Sequence, residues 1–152
     1  MGVKRRKCKM CGRWQMIGGT KNRRCRECRA ETRAVANGMP DGTLTYGDRN
    51  RNLIRLGFAN YAEYLESGLW ASVRNAAFDR HGRRCVLCGK DATQVHHTGY
   101  GVDTLIGNNL ESLVPLCAGC HWKVEHDGKG NKRTRLSQVY AVFLRLMPRV
   151  KR

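Results

Sequence analysis

The stretch that decides the fold runs from Cys85 to His121 and reads CVLCGKDATQVHHTGYGVDTLIGNNLESLVPLCAGCH. It begins with one Cys-x-x-Cys pair, Cys85 and Cys88, and it closes with a second pair, Cys117 and Cys120. Two such pairs can share one zinc ion, because structural zinc takes four thiolate or imidazole ligands in a tetrahedron. The spacing therefore predicts a structural zinc site that ties together the two ends of this stretch.

Three histidines accompany these cysteines. His96 and His97 are adjacent and lie between the two pairs, and His121 follows the last cysteine directly. A single Cys-x-x-Cys pair near one histidine would be weak evidence for any particular function. Two pairs that bracket a double histidine, with a third histidine beside the last cysteine, form a specific pattern.

The segments CVLCG (85–89), VHH (95–97) and LVPLCAGCH (113–121) resemble the His-Asn-His (HNH) endonuclease family, in the variety where four cysteines bind a structural zinc. The preceding YLESGLWASVRNAAFDRH (64–81) is similar to the helical lead-in of phage-type members. The resemblance covers about residues 60–127. It implies a ββα-metal fold, so we expect a small, zinc-stabilised α+β protein that cuts DNA.

The resemblance also implies a role for each histidine. His97 is expected to be the general base, and an unperturbed pKa of about 6.5 suits histidine to that task. His96 and His121 are expected to bind one catalytic divalent ion, Mg²⁺ or Mn²⁺, although two histidine ligands would also tolerate Zn²⁺ or Ni²⁺. Glu125, one helical turn after His121, is favoured as the third ligand, and His126 stays open as the alternative.

Neighbouring residues on a strand point to opposite faces. The expected mechanism therefore needs a local bend that brings His97 into the pocket of the two metal-binding histidines. The sequence also departs from the family at the central Asn, where Ser112 stands. Because that Asn supports the loop carrying the base, we expect Ser112, Asn109 or Glu111 to supply another hydrogen bond.

A second set of four cysteines lies near the N-terminus: Cys8, Cys11, Cys25 and Cys28. Their spacing predicts another structural zinc ion, and Trp14, Met16 and Ile17 predict a short strand between the pairs. We interpret residues 1–33 as a basic zinc ribbon and 34–58, which are rich in turn signals, as a linker. Residues 59–152 are then the nuclease domain with its helical lead-in and a C-terminal basic helix.

The charge distribution predicts a polyanionic partner. The chain carries a formal net charge of +17 in 152 residues. Twelve Lys and Arg lie within residues 1–35, and eight lie beyond residue 127 without any acid. Such clusters are typical of DNA binding through phosphate neutralisation. The residues expected to contact phosphate are Arg23, Arg24, Lys132, Arg133 and Arg135.

Other classes of protein are less consistent with the sequence. It has no 18-residue apolar run, and its basic N-terminus lacks the apolar segment of a signal peptide. We therefore expect no membrane partner, a cytoplasmic location in a prokaryotic or phage-infected host cell, and zinc rather than disulfides at the cysteines.

Helical spacing predicts helices near 59–67 and 69–80, and a C-terminal helix that begins at a capping Ser137. The apolar face of this last helix is either core or a homodimer contact. The alternative function is a non-catalytic zinc protein that binds nucleic acid as a regulator or assembly factor. It would share the cysteines and the charge, but it would not need the three histidines.

Overall fold

The computed structural model describes residues 4–8, 14–17, 43 and 45–148. Over these residues the chain is a small α+β protein, as predicted. The strands are β1 (Lys4–Lys7), β2 (Trp14–Ile17), β3 (Gln94–His97) and β4 (Leu113–Leu116), and the helices are α1 (Tyr46–Arg55), α2 (Tyr61–Glu66), α3 (Gly68–His81), α4 (Val102–Leu105), α5 (Ala118–Glu125) and α6 (Leu136–Leu146). In the described ranges, no helix combines the length and apolar character needed to cross a membrane.

The N-terminal strands β1 and β2 pair with each other in antiparallel register. This confirms the short strand predicted at Trp14–Ile17. Cys8 follows β1 directly and is buried. The other predicted ligands of the N-terminal zinc, Cys11, Cys25 and Cys28, lie outside the described residues, as do Arg23 and Arg24.

Helix α1 occupies part of the segment 34–58 that the sequence predicts as a linker. It begins with a capping box, in which the Thr45 hydroxyl accepts from the Asp48 N–H at 3.1 Å and the Asp48 carboxylate accepts from the Thr45 N–H at 2.9 Å. Leu53 anchors the helix in the core, where it is fully buried. The pair Gly47-Asp48, which reads as a turn in the sequence, lies in the first turn of this helix. An acidic side chain such as Asp48 is favourable there, so the same residues fit the start of a helix.

Helices α2 and α3 follow, and they confirm the pair predicted near 59–67 and 69–80. Each has a side-chain cap: Asn60 accepts from a backbone N–H of α2 at 2.9 Å, and Ser67 accepts from one of α3 at 3.1 Å. Helix α3 ends before Gly82, whose φ of 78° is readily adopted only by glycine.

The β3–β4 sheet separates two apolar cores. On one side, Val95 of β3 packs with a cluster from α2 and α3 that includes Tyr64, Trp70, Val73 and Phe78. On the other side lies a cluster from β4, α5 and α6 that includes Leu116, Val124, Val139 and Phe143. Because strand residues alternate between faces, successive side chains of β3 enter different environments.

Helix α6 covers the second core with Val139 and Phe143, as its apolar spacing predicts. The predicted cap is wrong. The helix begins at Leu136, so Arg135 rather than Ser137 holds the N-cap position, and no side-chain cap hydrogen bond forms there. Leu144 on the outer face is exposed.

Candidate metal centre

Four thiols converge where the β3–β4 sheet meets α5. The Sγ atoms of Cys85, Cys88, Cys117 and Cys120, here called the thiol group, all lie within 4.8 Å of one another. Those of Cys88 and Cys117 are 3.7 Å apart. A tetrahedral zinc ion with Zn–S bonds of about 2.3 Å spaces its sulfurs about 3.8 Å apart. None of the four is in a disulfide, so the thiol group could hold one metal ion, and zinc fits such a set.

The electrostatics of the thiol group also suit a cation. Burial raises the pKa of Cys85, but backbone N–H groups, that of Cys117 first among them, outweigh burial and lower the pKa to about 7. Burial and the neighbouring thiols raise the pKa of Cys120 to about 12. The Cys85 thiol therefore ionises readily, whereas the Cys120 thiol does not. A cation among the sulfurs would favour the thiolate form of all four.

The thiol group also determines where α5 begins. Cys117 is the N-cap of this helix, and its Sγ accepts from the Cys120 N–H at 3.5 Å. Its carbonyl oxygen accepts from the His121 N–H at 3.0 Å. Because His121 and Glu125 are four residues apart, they lie on one face of α5. A metal held by the cysteines would thus help to position two further candidate ligands.

A second set of ligating atoms lies next to the thiol group. His96 of β3 and His121 and Glu125 of α5, here called the His–Glu group, offer ligand atoms that all lie within 4.8 Å of one another. The Nε2 atom of His121 is 3.3 Å from Oε1 of Glu125. Two ligands that are each about 2.1 Å from one cation are about 3.0–3.4 Å apart. The spacing therefore fits a bound divalent ion.

His96 is the member of the His–Glu group whose surroundings most strongly suggest a metal ligand. Its side chain is only 1 % exposed, and neither ring nitrogen has a hydrogen-bond partner among the described residues. Burial, followed by the charge of His121, lowers its pKa to about 3. The ring therefore stays neutral, and a neutral imidazole is the form that binds metals.

Gln94 supports His121, a contact that the sequence analysis missed. Its Oε1 lies 2.5 Å from Nδ1 of His121. If a metal ion takes the place of the proton on Nε2, Nδ1–H can still donate to Gln94, an arrangement common behind metal-binding histidines. Gln94 precedes His96 by two residues and so shares its strand face, and this spacing could have revealed the contact.

Of the two alternatives for the third ligand, the structure places Glu125 in the group. Burial raises the pKa of Glu125, but the hydrogen bond and charge of His121, together with the charge of Lys132, lower it to about 2. Lys132 Nζ lies 3.9 Å from Glu125 Oε2. His126 instead stacks on Trp122, with ring centroids 3.4 Å apart.

His97 points into the other core. Its ring stacks on Trp70 and Tyr100, at centroid distances of 4.7 Å and 4.8 Å, and it is only 4 % exposed. Nδ1 lies 3.3 Å from the Tyr61 hydroxyl, whereas Nε2 has no partner among the described residues. Burial, followed by the charge of His96, lowers its pKa to about 3.

The sequence predicts three histidines around one pocket, and the structure brings two of them together. Strand β3 continues without a bend through His96 and His97, so strand alternation turns their rings to opposite faces. The His97 ring is enclosed by four aromatic residues, here called the aromatic enclosure: Tyr61, Tyr64, Trp70 and Tyr100.

Ser112, which the HNH resemblance aligns with an Asn, supports the segment after His97 through its backbone. Its carbonyl oxygen accepts from the N–H and the hydroxyl of Thr98, at 2.8 Å and 3.1 Å. Asn109 donates to the Ser112 hydroxyl at 3.2 Å. Glu111 pairs instead with Arg80 at 2.9 Å. Ser112 and Asn109 thus support the segment directly after His97.

The basic residues near α5 have different roles. Lys132 and Arg135 are exposed, as phosphate contacts require. Arg133 is half-buried, and its guanidinium donates to the carbonyl oxygens of Val124 at 3.0 Å and His126 at 2.8 Å. Its guanidinium is therefore engaged within the protein, where it ties the following loop to the end of α5.

Comparison of the chain with family models, curated proteins and solved structures finds no match. A fold class alone does not identify an activity. Function must therefore be inferred from the thiol group, the His–Glu group and their surroundings.

Proposed function

We propose that this protein is a metal-dependent endonuclease that hydrolyses phosphodiester bonds in DNA, with one divalent ion held by the His–Glu group. The observation that carries the proposal is His96. A histidine that only packs in a core normally finds a hydrogen-bond partner. His96 has none among the described residues, although it lies beside an imidazole and a carboxylate.

The order of the elements supports membership of the HNH family. Strands β3 and β4 are followed directly by α5, and the thiol group lies at the junction. This order agrees with the ββα-metal arrangement that the sequence motifs imply. In the proposal, zinc in the thiol group is structural and holds α5 against the sheet, while the His–Glu group is catalytic.

The side chains of the His–Glu group differ in exposure, and this suggests how the substrate approaches. When bound, the ion would offset charge on the phosphate and the leaving oxygen and would acidify nearby water. His96 would hold it from the buried side. His121 and Glu125 have side chains 24 % and 25 % exposed, so the phosphate would approach over α5.

His97 is the general base that the resemblance implies, and Nε2 is the nitrogen that would accept the proton. Its other nitrogen faces the Tyr61 hydroxyl. The His97 ring lies on the face of β3 opposite His96. This role therefore requires that DNA binding bend the strand and bring Nε2 out of the aromatic enclosure to the water beside the ion, a backbone rearrangement of the kind that a minority of complexes show.

The aromatic enclosure of His97 also favours a second candidate function, a zinc-containing nucleic-acid-binding protein without catalysis. In that case His97 is a core residue, and the His–Glu group holds a second structural ion. Both candidates bind nucleic acid, so only a cleavage assay separates them.

The experiment is plasmid cleavage by zinc-loaded protein. Supercoiled DNA is incubated with no added ion, with Mg²⁺, Mn²⁺, Ni²⁺ or Zn²⁺, and with chelator. We expect nicked or linear product that depends on the added ion. If no ion gives any product while zinc content and DNA binding are normal, the protein is the non-catalytic binder.

A matched pair of variants links cleavage to the His–Glu group. His121→Asn should lower the cleavage rate by roughly a hundredfold or more, because even groups behind a metal ligand are worth about 10–100-fold. His81→Asn is the control, since His81 is also half-buried but pairs with the Leu110 carbonyl oxygen at 2.8 Å. Equal loss in both variants would point to a folding defect and would contradict the assignment of His121.

A further inference from the structure

Trp122 is a large aromatic side chain exposed on α5. It is 56 % exposed, whereas Trp70 is buried in the first core. One face of its indole is covered by His126, whose ring is nearly parallel at an interplanar angle of 11°. The His126 Nδ1 atom also lies 3.2 Å from the Trp122 carbonyl oxygen, which holds the two residues together. The indole is therefore backed on one side and open on the other.

This exposed ring borders the His–Glu group. Trp122 follows His121 directly on α5, and Glu125 is one turn further along the same helix. Successive helix residues are about 100° apart around the axis. Trp122 is therefore on the flank of the helix next to the two ligands, while Val124 of the same helix is buried in the second core.

The surroundings of the ring are basic. Backbone pairing places Lys132 opposite His126, and the Lys132 ammonium also lies 3.9 Å from Glu125. A phosphate chain that passes the His–Glu group would meet the Lys132 ammonium and the flat aromatic surface of Trp122 beside it.

We propose that Trp122 is a stacking surface for an unpaired nucleobase beside the cleaved phosphate, so that the preferred substrate is DNA with a single-stranded or extruded nucleotide. This inference rests on the proposed function. Bases within a duplex are already stacked on both faces, so an indole can stack only on a base that has left the helix or lies at its end. Aromatic stacking of this kind is sequence-tolerant, because every base offers a flat face.

The test measures DNA binding rather than cleavage. Fluorescence polarisation is recorded for zinc-loaded protein, without added catalytic ion, on a labelled duplex and on the same duplex with a single-stranded flap. We expect tighter binding to the flap, and we expect Trp122→Leu to weaken flap binding roughly tenfold without changing duplex binding. Trp122→Phe, which keeps a flat ring, should retain most of the preference.

The control is Leu144→Ala, which removes another exposed apolar side chain, on α6, and should leave both affinities unchanged. Zinc content and thermal unfolding confirm that each variant is folded. The inference is overturned if Trp122→Leu leaves flap binding intact, weakens duplex binding equally, or alters the oligomeric state instead. It is also overturned if Trp122→Phe fails as badly as Trp122→Leu. The binding measurement does not depend on cleavage. A protein that cuts no plasmid could therefore still show or lack the preference for the flap, and the two proposals can fail independently.

Discussion

Two neighbouring residues, His96 and His97, show how strongly position determines the chemistry of a side chain. Both rings are buried, and the pKa of both is lowered to about 3, mainly by burial. His96 nevertheless lies beside His121 and Glu125, whereas His97 is stacked among aromatic rings. The same residue type therefore offers a metal ligand at one position and, at the next, either a base or a core contact.

The role of His97 can be decided with a substitution that keeps its shape. His97→Phe retains a ring in the aromatic enclosure but removes both nitrogens. If His97 is the general base, cleavage should fall by about 10²–10⁴-fold, the usual contribution of such a group. DNA affinity, zinc content and thermal stability should stay close to those of the wild type. Undiminished cleavage by His97→Phe would show that the ring serves packing alone.

The sequence predicts the ligating residues better than it predicts their neighbours. Cysteine spacing was sufficient for the thiol group, because Cys-x-x-Cys pairs close on one ion within a small range of distances. The enclosure of His97 was not foreseeable, since Tyr61 and Trp70 reach it from helices more than 25 residues earlier. Contacts of that kind depend on how the elements pack, which no local pattern contains.

At the scale of elements, the connection from β3 to β4 must approach α3 closely. Gly107 lies in this connection with a φ of 85°, and a Cβ atom there would lie 3.1 Å from Cγ2 of Val73. Gly57, after α1, has a φ of 90° but no heavy atom within 4 Å of the same position. The two glycines therefore share a backbone constraint and differ in packing.

This difference predicts unequal effects of the same substitution. Gly57→Ala should cost about 1–2 kcal/mol of unfolding free energy, because the left-handed conformation is unfavourable for alanine. Gly107→Ala should cost roughly 1 kcal/mol more, since its methyl group also crowds Val73. Urea unfolding of the zinc-loaded proteins measures both values. Equal losses would mean that the connection can move away from α3 at no cost.

The helices illustrate what local patterns can and cannot predict. Apolar residues at helical spacing predict helices α2, α3 and α6, and the structure has all three. Helix α1 lies in the segment interpreted as a linker because of its turn signals, and in the structure Leu53 is the residue of this helix that is buried. Its stability comes from a capping box and from packing, and the packing becomes visible only in the folded chain.

At the scale of the molecule, the +17 charge predicts a polyanionic partner, but not every basic residue is placed to contact it. Arg133 bonds to two backbone carbonyl groups at the end of α5, whereas Arg135 is exposed at the start of α6. Charge counted from the sequence therefore overestimates the number of phosphate contacts. It also conceals residues that hold the structure together.

Salt dependence distinguishes these two classes of arginine. Log affinity for duplex DNA should fall linearly with log salt, with a slope of about −0.9 for each phosphate contacted. Arg135→Ala should make the slope less negative by about 0.9, the value of one phosphate contact. Arg133→Ala should lower thermal stability and leave the slope unchanged. A wild-type affinity that is insensitive to salt would contradict DNA binding through the basic residues.

The opposed rings on β3 make the length of this strand as critical as the identity of its residues. Pairing sets His96 opposite Val114 and His97 opposite Leu113. Adding or deleting one residue within Gln94–His97 would exchange the two sides, moving the candidate ligand into the aromatic enclosure and its neighbour toward α5. A single codon gained or lost in this strand would therefore remove the centre as completely as the loss of His96 itself.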